Sequence, residues 1–159
     1  GYFNSGVLLI NTLAWAQESV SAKAMSMLAD KAIVSRLTYM DQDILNLILL
    51  GKVKFIDAKY NTQFSLNYEL KKSFVCPIND ETVLIHYVGP TKPWHYWAGY
   101  PSAQPFIKAK EASPWKNEPL MRPVNSNYAR YCAKHNFKQN KPINGIMNYI
   151  YYFYLKIIK

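Results

Sequence analysis

Within the nonapeptide His86-Tyr87-Val88-Gly89-Pro90-Thr91-Lys92-Pro93-Trp94, seven residues hold an imidazole that can bind a metal, a glycine that lets backbone approach a ligand, and a lysine ammonium. The apolar run Thr82-Val83-Leu84-Ile85 just before it predicts a strand that delivers the set to a sheet edge. Such a set suits a metal-bound diphosphate. The same residues also fit a strand followed by a Pro-rich turn with solvated His86 and Lys92. As a ligand, one histidine beside carboxylates favours Mn²⁺ over Mg²⁺, which prefers oxygen alone. His95 and His135 are expected on the surface.

Asp41-Gln42-Asp43 has the look of a chelating Asp-x-Asp, but its place at the start of a helix argues otherwise. Positions i and i+2 on a helix lie roughly 200° apart, so the two carboxylates diverge. One aspartate is explained by capping at free N–H groups. Capping leaves Gln42 unexplained, and an amide beside an ionised carboxylate is suited to sugar hydroxyls and a developing oxocarbenium ion. Asn4-Ser5-Gly6, before an apolar run, is either a glycine turn or a hydrogen-bonding lip at a sheet edge.

These residues need a frame, and the sequence predicts an α/β one. Val7-Leu8-Leu9-Ile10 and Val53 to Asp57 read as strands. Asn11-Thr12 caps a short turn through Trp15, Ser19 to Leu28 is a helix, and a helix opened at Asp41 stops at Gly51. Residues 62–81 show no element. Further helices are expected near Ala103 to Ala112, over Asn125 to Phe137 and over Ile143 to Ile158, with Pro142 at a first turn. A boundary near 115 separates this α/β part (1–115) from a basic, aromatic helical region (116–159), and no internal repeat is present.

The 159 residues are half hydrophobic, which excludes a disordered chain. No apolar run reaches the roughly 18 residues of a membrane span, and no signal-peptide pattern opens the chain. Cys76 and Cys132 are expected to be reduced and structural. The net charge of +9 is uneven: residues 1–90 carry 8 Lys/Arg and 8 Asp/Glu, whereas 91–159 carry 11 and 2. An anionic partner is implied for the second part. Its last 15 residues, from Gly145, span only about 22 Å as a helix, so an interfacial helix is expected, with Tyr149, Tyr152, Phe153, Lys156 and Lys159 at an anionic membrane surface. Packing of those tyrosines onto the protein is the alternative. Nucleic acid is disfavoured because the aromatics cluster with Ile and Leu. The strand-like start, without Met, suggests that sequence N-terminal to Gly1 is missing.

Taken in order, Tyr2 to Asn11 with Trp15, Asp41-Gln42-Asp43-Ile44-Leu45-Asn46, Lys59-Tyr60-Asn61 and His86 to Trp94 resemble the family 8 glycosyltransferases, most of all the bacterial lipopolysaccharide core enzymes. The resemblance implies a C-terminal part of a GT-A type fold and retaining transfer of hexose from UDP-glucose or UDP-galactose to the lipopolysaccharide outer core. It implies a peripheral place on the cytoplasmic face of the bacterial inner membrane. Residue by residue, His86 would be a ligand of Mn²⁺ (or Mg²⁺), with Gly89 and Lys92 at the diphosphate. Asn4, Ser5 and Asp41 would hold the donor sugar, and Gln42 would face the anomeric carbon as nucleophile or as stabiliser of an ion pair. The family's Asp-x-Asp and uridine pocket have no counterpart in these residues, so the 159-residue chain is expected to be inactive or nearly so by itself. A non-catalytic basic module that binds anionic membrane is the second reading.

Overall fold

The computed structural model describes residues 1–158; Lys159, one of the expected membrane residues, lies outside them. The chain divides into two compact units, Gly1–Asn61 and a second that begins at Thr62.

The first unit is helical: α1 (Thr12–Gln17), α2 (Val20–Ala29), α3 (Lys31–Val34) and α4 (Met40–Ile48). Asn11 caps α1 by accepting the Ala14 N–H, as its type predicts. Asp30 does the same for α3, a single turn that the sequence reading did not include. α4 buries Ile44 and is followed by Gly51 at φ +76°, where a glycine closes a helix end without Cβ strain. Val20 of α2 is the other buried apolar side chain of this unit.

Two expected strands do not form. Val7 to Ile10 and residues 53–57 form no strand pairing among the described residues, and Leu9 is 96% exposed. An apolar run becomes a strand only where a neighbour supplies hydrogen bonds, and composition cannot report the neighbour.

The second unit carries one parallel pair, β1 (Thr62–Phe64) with β2 (Ile85–Tyr87), in the register Thr62↔Ile85, Gln63↔His86, Phe64↔Tyr87. β2 thus begins at Ile85 and includes His86, rather than ending before it, and β1 lies in the stretch that showed no element by sequence. Phe64 and Leu66 form the core with Ala98, Tyr100 and Ala103. Three helices complete the unit: α5 (Gln104–Glu111), α6 (Ser126–Lys138) capped by Asn125, and α7 (Pro142–Ile157) with its proline in the first turn. α6 and α7 pack closely enough that a Cβ at Gly145 would come within 2.6 Å of the Phe137 ring. Helices with a parallel strand pair and a helical C-terminal region agree with the α/β, GT-A type expectation.

Candidate functional site

In the first unit, α4 presents Asp41 and Gln42 toward the turn formed by residues 2–6. Gln42 Oε1 accepts from Asn4 Nδ2 at 2.9 Å and from the Ser5 N–H at 3.1 Å, and its Nε2 donates to Tyr2 Oη at 2.9 Å. Ser5 Oγ donates to Asp41 Oδ2 at 3.3 Å. The four polar residues singled out from the sequence therefore meet in one lip, with Asn4, Ser5 and Gln42 half-buried and Asp41 exposed. Asp43 takes other partners, accepting from Tyr2 Oη, which joins it to Gln42, and from the Thr38 and Tyr39 N–H groups. The Tyr2 hydroxyl, then the two backbone donors, hold its carboxyl below the usual carboxylate range. So Asp43 is the capping aspartate, while Asp41 bonds Ser5, and the two carboxylates share no hydrogen-bond partner among the described residues.

Two side chains assigned no role from the sequence fix this lip. Asn46, one turn beyond Gln42, accepts the Phe3 N–H and donates to the Phe3 carbonyl, each at 2.8 Å, and so pairs with backbone as a strand would. Asn61 Nδ2 donates to Asn4 Oδ1 at 3.2 Å. The i, i+4 spacing of Gln42 and Asn46 was the available signal for the first.

In the second unit, β2 ends in a tight loop. Gly89 has φ +83°, and a Cβ there would lie 2.7 Å from Ser65 Oγ, so glycine is required by both backbone and space. The half-buried Lys92 donates from Nζ to the Tyr87 carbonyl at 2.7 Å, which leaves two ammonium N–H groups for a ligand. Desolvation lowers its pKa. His86 is also half-buried, and desolvation, helped by the nearby Lys92 charge, lowers its pKa and favours the neutral ring a metal needs. Yet no cluster of three or more His, Cys, Asp or Glu stands ready to hold an ion among the described residues. One imidazole does not make a Mn²⁺ site, so these residues supply at most one ligand of it.

His95 and His135 overturn the surface expectation, being 1% and 0% exposed. His95 Nδ1 accepts the Lys92 N–H at 3.1 Å. His135, on α6, brings Nε2 to 3.0 Å from Thr91 Oγ1 and 3.2 Å from Asn67 Oδ1, and Nδ1 to 2.7 Å from Tyr100 Oη. Burial pushes both pKa values down to about 4, so both rings are neutral near pH 7. His95 Nε2 has no hydrogen-bond partner. An unpaired buried donor costs about 1–3 kcal/mol, more than the 0.5–1.5 kcal/mol that one ordinary hydrogen bond returns. The ring packs against Trp97 and Tyr128, and an apolar ring in its place would remove that unpaired donor but orphan the Lys92 N–H. Only the bond to Lys92 distinguishes histidine there.

α7 turns Tyr149 and Tyr152 partly inward, with Tyr149 against Phe137 at 5.9 Å between ring centres, while Phe153 and Lys156 are exposed. The outward stripe is Ile143, Ile146, Met147, Ile150, Phe153 and Ile157. No helix among the described residues is long and apolar enough to cross a membrane. Cys76 is exposed and Cys132 buried, and both are free thiols.

Two family models match this chain: Glycosyl transferase family 8 over residues 1–98 and Glycosyl transferase family 8 C-terminal over 100–156. Among curated proteins it is 56% identical to the lipopolysaccharide glucosyltransferase WaaO of Escherichia coli K12, over 99% of this chain and 47% of that protein. It is 52% identical to the lipopolysaccharide 1,3-galactosyltransferase of Salmonella typhimurium, over 100% and 47%. An Escherichia coli lipopolysaccharide 1,2-glucosyltransferase is 39% identical over 98% and 47%. The chain spans about half the length of these relatives. No solved structure matches it.

Proposed function

Because this chain belongs to glycosyl transferase family 8, we propose that it is the C-terminal portion of a retaining hexosyltransferase that uses UDP-glucose or UDP-galactose to extend the lipopolysaccharide core. The observation that carries this reading is the convergence of Asn4, Ser5, Asp41 and Gln42 in one lip. In the second unit, the Gly89 loop and Lys92 form the kind of surface a diphosphate needs.

The roles follow from the chemistry of each group. Asn4, Ser5 and Asp41 would accept and donate to donor-sugar hydroxyls. Gln42 would lie beside the anomeric carbon as positive charge develops there, its amide oxygen offering negative dipole. Gly89 lets backbone approach the diphosphate, and the Lys92 ammonium would offset its charge. His86 would give one ligand to Mn²⁺, which when bound supplies further charge neutralisation at the leaving diphosphate; its other ligands would come from outside these residues. By this reading the 159-residue chain alone does not turn over UDP-glucose.

The test is donor hydrolysis and transfer to core oligosaccharide by the full-length protein with UDP-glucose and UDP-galactose in parallel. His86→Ala is expected to raise the Mn²⁺ concentration for half-maximal activity by about tenfold or more, the usual scale for disturbing a metal's coordination. Turnover by residues 1–159 alone, or a His86→Ala variant with unchanged Mn²⁺ dependence, contradicts the assignment.

The same reading places the protein peripherally on anionic membrane at the cytoplasmic face, with the acceptor. The exposed stripe on α7 and the 11 Lys/Arg against 2 Asp/Glu of residues 91–159 support it. Because Tyr149 and Tyr152 lean inward, the isoleucines carry more of the contact than the sequence reading gave them. Replacing Ile146 and Ile150 together by glutamate is expected to weaken binding to phosphatidylglycerol vesicles at least about tenfold, since each buried side chain is worth about 1.5 kcal/mol or more. Vesicle binding in cosedimentation that persists in the double variant overturns the anchor. Vesicle binding by a full-length protein that neither binds nor hydrolyses UDP-sugars would instead favour the non-catalytic membrane module.

A further inference from the structure

We propose that the C-terminal helical region positions the donor loop through two buried histidines, His135 on α6 and His95, which act as positioning residues for Gly89 to Lys92. The inference rests on the reading of that loop as the diphosphate site.

The loop is held at neighbouring points by the two rings. His135 Nε2 reaches Thr91 Oγ1 at 3.0 Å, and His95 Nδ1 takes the Lys92 N–H at 3.1 Å. Thr91 is fully buried between two residues a ligand would meet, so its hydroxyl is an internal tether and not a contact for substrate. With Asn67 Oδ1 also facing Nε2, the proton sits on Nε2, and Nδ1 accepts from the Tyr100 hydroxyl. One ring thereby ties α6 to Asn67 in the turn that follows β1, to the donor loop and to the segment leading into α5. An apolar ring at 95 would fill the same space but would leave the Lys92 N–H without its acceptor. What the imidazoles add is a fixed orientation of the Lys92 backbone, and with it of the ammonium that Nζ presents from the Tyr87 carbonyl.

The test uses the full-length protein with Mn²⁺ and UDP, read by titration calorimetry and by hydrogen exchange over residues 88–95. Thr91→Val keeps the shape and removes only the tether. It is expected to weaken UDP binding about fivefold, the equivalent of one ordinary hydrogen bond, to speed exchange in the loop, and to leave the melting temperature within a few degrees. His135→Gln retains a donor near the Nε2 position and is expected to bind as the wild type does. His135→Asn retains only the partner for Tyr100 and is expected to match Thr91→Val. UDP affinity in Thr91→Val within twofold of wild type, or a glutamine variant as weak as the asparagine one, overturns the inference. A wild-type protein that binds no UDP overturns the donor-site reading instead, while the exchange measurement still reports whether the tether exists.

Discussion

Gly89→Ala in the full-length protein is expected to cost about 2–3 kcal/mol of stability and to weaken UDP binding by more than tenfold. The estimate has two parts. A non-glycine residue in left-handed backbone costs about 1–2 kcal/mol, and Gly89 sits at φ +83°. The new Cβ would also stand 2.7 Å from Ser65 Oγ, and Ser65 is itself buried, so one of the two must move by several tenths of an ångström. That movement displaces the β2 end of the loop, where the Val88 N–H donates to the Phe64 carbonyl at 2.9 Å. Adding Ser65→Gly removes the collision but not the backbone strain, so the double variant is expected to recover about half of the lost stability in urea unfolding. Alanine at 89 without loss of UDP affinity would remove the loop from the donor site.

Much of the site was legible because its residues act locally. The helix that begins beside Asp41, the different partners of Asp41 and Asp43, and the positive φ at Gly89 each follow from backbone geometry a few residues long. The errors concern partners distant in sequence. Val7 to Ile10 is as apolar as a buried strand, yet a strand depends on a neighbour that no local pattern specifies. β1 was missed for the converse reason: Thr62-Gln63-Phe64 is too short to show alternation and exists because residues 85–87 pair with it. His135 was misplaced because a polar ring in a basic stretch reads as surface, whereas its partners are Thr91, Asn67 and Tyr100, 35 to 68 residues away; His95 is buried against Trp97 and Tyr128, the latter on α6. Polar residues that satisfy each other across such separations leave no periodic trace.

The other large effect belongs to Gln42, where the hydrogen bonds separate two roles that the residue type leaves equal. Oε1 has two lone pairs, and Asn4 Nδ2 and the Ser5 N–H occupy both. An oxygen so engaged is a poor nucleophile; on the proposed donor-site reading it would instead be held as a fixed negative dipole beside developing positive charge. Gln42→Ala removes the dipole and frees the lip, so kcat is expected to fall on the order of 10²–10³, the usual scale for losing one preorganised electrostatic contact. Gln42→Glu is the more telling variant. A glutamate is the stronger nucleophile and would preserve or raise activity if attack on the anomeric carbon were the role. It also replaces the Nε2 donor with an oxygen facing Tyr2 Oη, whose proton already serves Asp43, and sets two acceptors against one another. The expected result is therefore a loss of comparable size in both variants, with the donor KM raised more by glutamate because Tyr2 and the turn shift together. Wild-type or higher kcat in Gln42→Glu, together with a glycosyl adduct on Gln42 of the wild-type protein in mass spectrometry, would assign Gln42 as the nucleophile and overturn the dipole role.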